Sequence, residues 1–185
     1  MQLYRSHFCA LGRYGFSMKM DDLIRDINNV DWCAFPDHEY FCSKKVPIAL
    51  IELALSKHVE TTETSIDDKY ELSPLAHRNV LDAIGNNHSG NYYPVAIAAL
   101  PFIMTVALEG DNEFARNNAI RTLYDLYWFS PIVEGSQYDL NEVYRFIKNT
   151  IANKEAEFIN LAKIDNYNKK IIEDFVKSIR EDRES

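Results

Sequence analysis

A chain of 185 residues, 46% of them hydrophobic, carries enough apolar surface for one domain with a proper core and is short for two. That composition excludes an intrinsically disordered chain. The net charge is −8 and is concentrated in residues 60–149, which hold 13 acids against 6 bases, so a cationic face for a phosphate backbone is not expected.

In the first twenty residues Arg5, His7, Arg13 and Lys19 interrupt the apolar positions, so a secretory leader is not expected. Cys9, Cys33 and Cys42 read as reduced thiols of a cytoplasmic protein, with a Cys33–Cys42 bridge as the alternative. Residues 1–43 show little periodicity. The segment Met20–Val30 predicts a short helix, and Trp32, Phe35, Tyr40 and Phe41 around Pro36 read as an aromatic plug on the end of a helical stack.

From Lys44 onward apolar residues recur at helical spacing. Val46, Leu50 and Leu53, less regularly Ile51 and Leu55, mark one face of KKVPIALIELALSKHV, with Pro47 near its first turn, where no amide donor is needed. The acidic ETTETSIDDKYE reads as a loop. Ser73 and Pro74 then suit the cap and first turn of PLAHRNVLDAIGNN, whose buried side is Leu75, Val80, Leu81 and Ile84. Arg78 and Asp82 are placed to pair outside. Gly85 with Asn86 and Asn87 ends the helix, because these residues enter left-handed conformations cheaply.

The run GNYYPVAIAALPFIMTVALEGD is the strongest apolar signal in the chain. It is shorter than the about 20 predominantly apolar residues of a spanning helix, and longer than a usual strand. It therefore predicts a helix enclosed by other helices, capped by Asn91 and bent at Pro101, whose ring removes the bond to the Ile97 carbonyl. After Gly110, Phe114, Ala119, Ile120, Leu123, Leu126 and Tyr127 form the stripe of a further helix, with Arg121 and Asp125 as an outward pair. Past the IVEGSQ turn, Asp139 caps LNEVYRFIKNTIANKEAEFINLA in the manner of a capping box with Glu142; this stretch reads as one helix or two. The last helix runs from Asp165 to about Arg180 with Ile171, Ile172, Phe175, Val176 and Ile179 inward, and EDRES is expected to fray.

The order of a helix ending in AIGNNHSG, a helix YYPVAIAALPFIMTVAL and a short acidic loop resembles small bacterial HEAT-like repeat proteins. Ala98, Leu100, Pro101 and Phe102 fall on that family's packing alanine and Leu-Pro-aromatic element, and Gly90 and Tyr92 on its turn and helix start. The match covers about residues 72–128 and has no second Leu-Pro-Phe copy; Pro47 is a weak echo. The resemblance implies an all-α fold: a short HEAT-like α-solenoid with irregular capping helices. In this single domain, residues 1–43 form an irregular cap, 44–130 the HEAT-like pairs and 139–180 the C-terminal helices.

Proteins of this appearance often serve as immunity proteins for polymorphic or contact-dependent toxins. The resemblance thus implies a cytoplasmic protein that covers the basic active site of a nuclease toxin in a 1:1 complex. The alternatives are a HEAT-type scaffold in an endogenous complex and, against the charge balance, a helical-repeat DNA glycosylase. Asp67, Asp68 and Glu71, then Glu109, Asp111 and Glu113, are the acids expected to meet a basic protein partner. Tyr92 and Tyr93, together with Tyr124, Tyr127 and Trp128, are amphipathic enough to anchor an interface, though packing between helices is the simpler account of most of them.

No enzyme template is found: GxSxG, GxxxxGK, GxGxxG, HExxH and CxxC are all missing from the sequence. His7, His38, His58, His77 and His88 are scattered, and His38, Glu39 and Cys42 of HEYFC lack a fourth metal ligand at usual spacing. The expectation is a non-enzymatic binding protein without cofactor or metal, and without a nucleic-acid or membrane partner.

Overall fold

The computed structural model describes residues 20–35, 42–57, 74–131 and 139–184. Among them are eight α-helices: α1 (Met20–Asn28), α2 (Lys45–Leu55), α3 (Pro74–Ile84), α4 (Ala96–Glu109), α5 (Glu113–Trp128), α6 (Leu140–Ala152), α7 (Glu155–Ile164) and α8 (Lys169–Glu184). Consecutive helices pack in pairs, α2 on α3, α4 on α5 and α7 on α8, giving an all-α, helical-repeat-like arrangement. Several expectations lie outside the described residues: the acidic loop and its Ser73 cap, Tyr40 and Phe41 of the plug, His38 and Glu39, Cys9 and the IVEGSQ turn.

The core grows around α4. Ala96, Ile97, Ala99, Leu100, Phe102, Ile103, Met104, Val106 and Ala107 are all buried, so the helix is covered on nearly every side, as its composition predicts. It packs against α2, α5, α6 and α7. The helix continues through Pro101, and the Thr105 hydroxyl donates to the Pro101 carbonyl at 3.0 Å. Helix α1 forms as expected, burying Leu23 and Ile27 one turn apart. Half of the aromatic plug is in view: Trp32 is buried, donates its indole N–H to the Ile27 carbonyl at 2.8 Å, and sets its ring 6.1 Å from that of Phe102.

Asn91 does not cap α4. The backbone at the start of the apolar run is consumed by a three-stranded ribbon: β1 (Gly85–Asn86), β2 (Asn91–Tyr92) and β3 (Ser130–Pro131). Strand β2 pairs antiparallel with β1 and parallel with β3, and the Tyr93 N–H reaches back to the Ile84 carbonyl at 2.8 Å. Residues whose amides are spent on strand partners cannot open a helix, so α4 begins only beyond Pro94. Gly85 does end α3, but by another mechanism. A side chain there would drive its Cβ into the Asn91 carbonyl oxygen, so glycine is required for close backbone approach. Only Gly90, with φ of 65°, uses the left-handed region among the described residues. Gly85→Ala is expected to cost about 2 kcal/mol by overpacking the ribbon; urea unfolding checks this, and an unchanged midpoint would refute the close approach.

The Asp139 carboxylate accepts from the amides of Asn141 and Glu142 as a cap should, and of the two readings left open for the stretch behind it the structure has the second, α6 and α7 divided at Asn153 and Lys154. The C-terminal half departs from expectation in two places. Helix α8 starts at Lys169, later than predicted, because Asp165 stays outside it and its carboxylate accepts the Asn168 amide at 3.0 Å. The EDRES end does not fray before Glu184. Asp182 holds the Lys148 ammonium at 2.8 Å and accepts the Tyr127 hydroxyl at 2.8 Å, and Arg183 pairs with Glu155 at 2.7 Å. Lys148 also lies over the rings of Tyr127, Trp128 and Tyr144, so this corner ties α5, α6 and α8 together. Hydrogen bonding from Lys148 and Tyr127 outweighs burial and holds the Asp182 carboxyl below its usual range.

Candidate partner-binding surface

Chain reversals meet at one end of the helical pairs. Helix α4 turns into α5 through Gly110, Asp111 and Asn112, and the Asn112 side chain caps α5 by accepting the Ala115 amide at 2.8 Å. The α7–α8 turn lies against this corner: the Asn168 amide group donates to the Glu113 carbonyl at 2.9 Å, and the Tyr167 ring stands 5.0 Å from that of Phe114. Asn118, about one turn further into α5, contacts Ser56 at 3.5 Å and accepts the His77 amide at 3.3 Å. The described residues on both sides of the acidic loop are therefore joined to the same part of α5. Asp67, Asp68 and Glu71 themselves lie outside the described residues.

Glu109, Asp111 and Glu113 are all exposed here, and none of them forms an ion pair among the described residues. The nearest base in the sequence, Arg116, is committed elsewhere. Its Nε donates to Asp165 at 2.6 Å and its guanidinium NH1 donates to the Gly110 carbonyl at 2.6 Å. Among the described residues the three acids thus present negative charge without an ion-pair partner.

Asp165 is the buried centre of this corner. Burial alone would push its carboxyl up; hydrogen bonds from Asn168 and Arg116 outweigh that and hold it below the ordinary carboxylate range. Asn168 is fully buried and bonded on every side, to Asp165, to the Glu113 carbonyl and to the Asn117 side chain, which donates at 2.8 Å. None of these residues was singled out from the sequence, where Asp165 reads as a helix start and nothing reveals its distant arginine.

Tyr92 and Tyr93 are not on this surface. They are 1% and 8% exposed, part of the buried core, and so offer no rings to a partner. Tyr127 is also buried, Tyr124 is half-buried, and only Trp128 keeps about half its surface in solvent. The correction has a simple cause: an aromatic side chain next to paired backbone completes the core more cheaply than it stands in water.

A concavity of about 250 Å³ lies between α3, α5 and α8, lined by His77, Arg121, Tyr124, Asp125, Ile171 and Asp174. His77 Nε2 sits 2.6 Å from the Asp125 carboxylate, so Asp125 serves α3 and not the expected partner Arg121, which donates to Asn117 at 2.9 Å. The pair clamps α3 to α5. Arg78 and Asp82 are both exposed and make no ion pair with each other. Among the described residues no three His, Cys, Asp or Glu side chains converge to hold a metal, and Cys33 and Cys42 are free thiols. No described helix is long and apolar enough to cross a membrane.

Comparison with protein-family models, curated proteins and solved structures yields no match.

Proposed function

We propose that the protein is a binding module of short HEAT-like type, and that it acts as an immunity protein by covering the basic active site of a toxin, most simply a nuclease. The observation that carries this is the set Glu109, Asp111 and Glu113, exposed and without internal counter-charges among the described residues, at the end of a helical stack. Such a rim speeds encounter with a cationic surface and rejects anionic ones. A nuclease groove is cationic because it must hold phosphates, so an acidic cover blocks nucleic acid by occlusion. The consecutive helix pairs support the HEAT-like reading, with α6 as the irregular member.

The proposal expects a large secreted protein with a variable C-terminal domain to be encoded upstream of this protein's gene, and calorimetric titration with that domain tests it. Tight 1:1 binding that weakens steeply with salt is expected. The triple variant E109K/D111K/E113K should bind at least tenfold more weakly, mainly through slower association. Absence of binding to that domain removes the immunity reading; the scaffold alternative would then be pursued through complexes recovered from the native cell.

A further inference from the structure

The α7–α8 turn buries two polar side chains and exposes two large ones. Along Ile164, Asp165, Asn166, Tyr167 and Asn168, the polar Asp165 and Asn168 are 5% and 0% exposed, while Ile164 is 79% and Tyr167 50% exposed, with Asn166 exposed between them. A soluble turn ordinarily does the reverse, because burying a carboxylate and an amide requires a full set of partners while apolar groups gain by leaving water. Here the partners are supplied, by Arg116, by the Glu113 carbonyl and by Asn117. The result is a turn held by buried hydrogen bonds with its two apolar side chains facing outward.

We infer that Ile164 and Tyr167 are the apolar anchor of the partner interface, and that the partner presents a basic surface with an apolar patch. This rests on the reading above that the acidic rim meets a cationic protein. Juxtaposition supports it: Tyr167 packs on Phe114, next to Glu113, and burial together with the Glu113 charge raises the Tyr167 phenol above its ordinary pKa. Of the exposed lysines bracketing the turn, Lys163 donates to the neutral Asn160 side chain at 2.9 Å and Lys169 lies 4.0 Å from Glu173, with Lys170 beside it. In this proposal Glu109, Asp111 and Glu113 supply the charge that selects a cationic partner, while Ile164 and Tyr167 supply the desolvated centre in which binding energy concentrates. A turn already fixed by Asp165 and Asn168 loses little freedom on binding, which favours slow dissociation.

Two probes separate the contributions: a short amphipathic peptide alternating lysine with leucine and tryptophan, and an octalysine of equal charge. The intact chain is expected to bind the amphipathic peptide at least tenfold more tightly than octalysine, with NMR shifts at residues 109–114 and 164–168. In I164S/Y167S, and in I164S alone, that preference should shrink several-fold while octalysine binding stays unchanged. E109K/D111K/E113K should weaken both probes. Equal affinity for the two probes, or a preference that survives I164S/Y167S, overturns the anchor and leaves the acidic rim standing. If neither probe binds, the anchor and the cationic-partner reading both fall. Concentration-dependent dimerisation abolished by I164S/Y167S would assign the turn to a second copy of this chain and overturn the inference as well.

Discussion

Replacing Phe102 with alanine is expected to remove about 3–5 kcal/mol of stability, enough to leave much of the chain unfolded near physiological temperature. Phe102 is buried on α4, and its ring faces Trp32, which closes the stack from the N-terminal side. Truncation removes transfer free energy and leaves a cavity between two elements that cannot both collapse, because the Trp32 indole is tied to the Ile27 carbonyl. Leu100→Ala, at a fully buried position on the same helix, should cost about 2–4 kcal/mol. Urea unfolding followed by far-UV dichroism measures both. A loss below about 0.5 kcal/mol for either would mean that α4 is not enclosed.

Asp165→Ala is expected to cost about 3 kcal/mol at neutral pH, because it strands the partly buried Arg116 guanidinium and two donors of Asn168. The sign of its pH dependence follows from the direction of the shift. The folded-state carboxyl ionises below its unfolded value, so the stabilisation is fully present above about pH 4 and is lost as pH falls through the folded value. The difference between the intact chain and Asp165→Ala should therefore narrow on acidification towards about pH 2. Asp182, lowered by its bonds from Lys148 and Tyr127, contributes to the same acid limb. A difference that stays constant across this range would count against an ionised Asp165 in the fold.

Local signals survived where the physics was local. Most of the stripes of α2, α3, α5 and α8 and the capping of α6 by Asp139 depend on residues within a turn or two of one another and are as the sequence indicates. Leu55, however, is exposed, and Phe114 and Ile171 are only half-buried. Start points moved where a distant strand or side chain intervened. Residues 91–93 look helical until Gly85, Asn86 and Ser130 take their backbone groups. Lys169 opens α8 because Asp165 is drawn to Arg116, 49 residues earlier. The EDRES end reads as a fraying tail only while Lys148, Tyr127 and Glu155 are out of view.

The candidate surface divides in the same way. Its acids were legible as charges, since Glu109, Asp111 and Glu113 border an apolar helix and have no base beside them except Arg116. Whether Arg116 neutralises them was a matter of tertiary structure, and it turns inward to Asp165 and Gly110. Tyr92 and Tyr93 seemed available until burial removed them, while Ile164 and Tyr167, which the sequence does not single out, stand in solvent.

The sequence by itself determined the helical class, the enclosure of α4 and the excess of acid in the middle of the chain, because periodicity, apolar length and charge are properties of neighbouring residues. Only the tertiary structure decided which acids remain unpaired, which aromatics are spent on the core and which turn faces outward with its polar groups inside. Those outcomes depend on contacts between residues tens of positions apart, and no local pattern encodes whose hydrogen bonds a distant helix will complete.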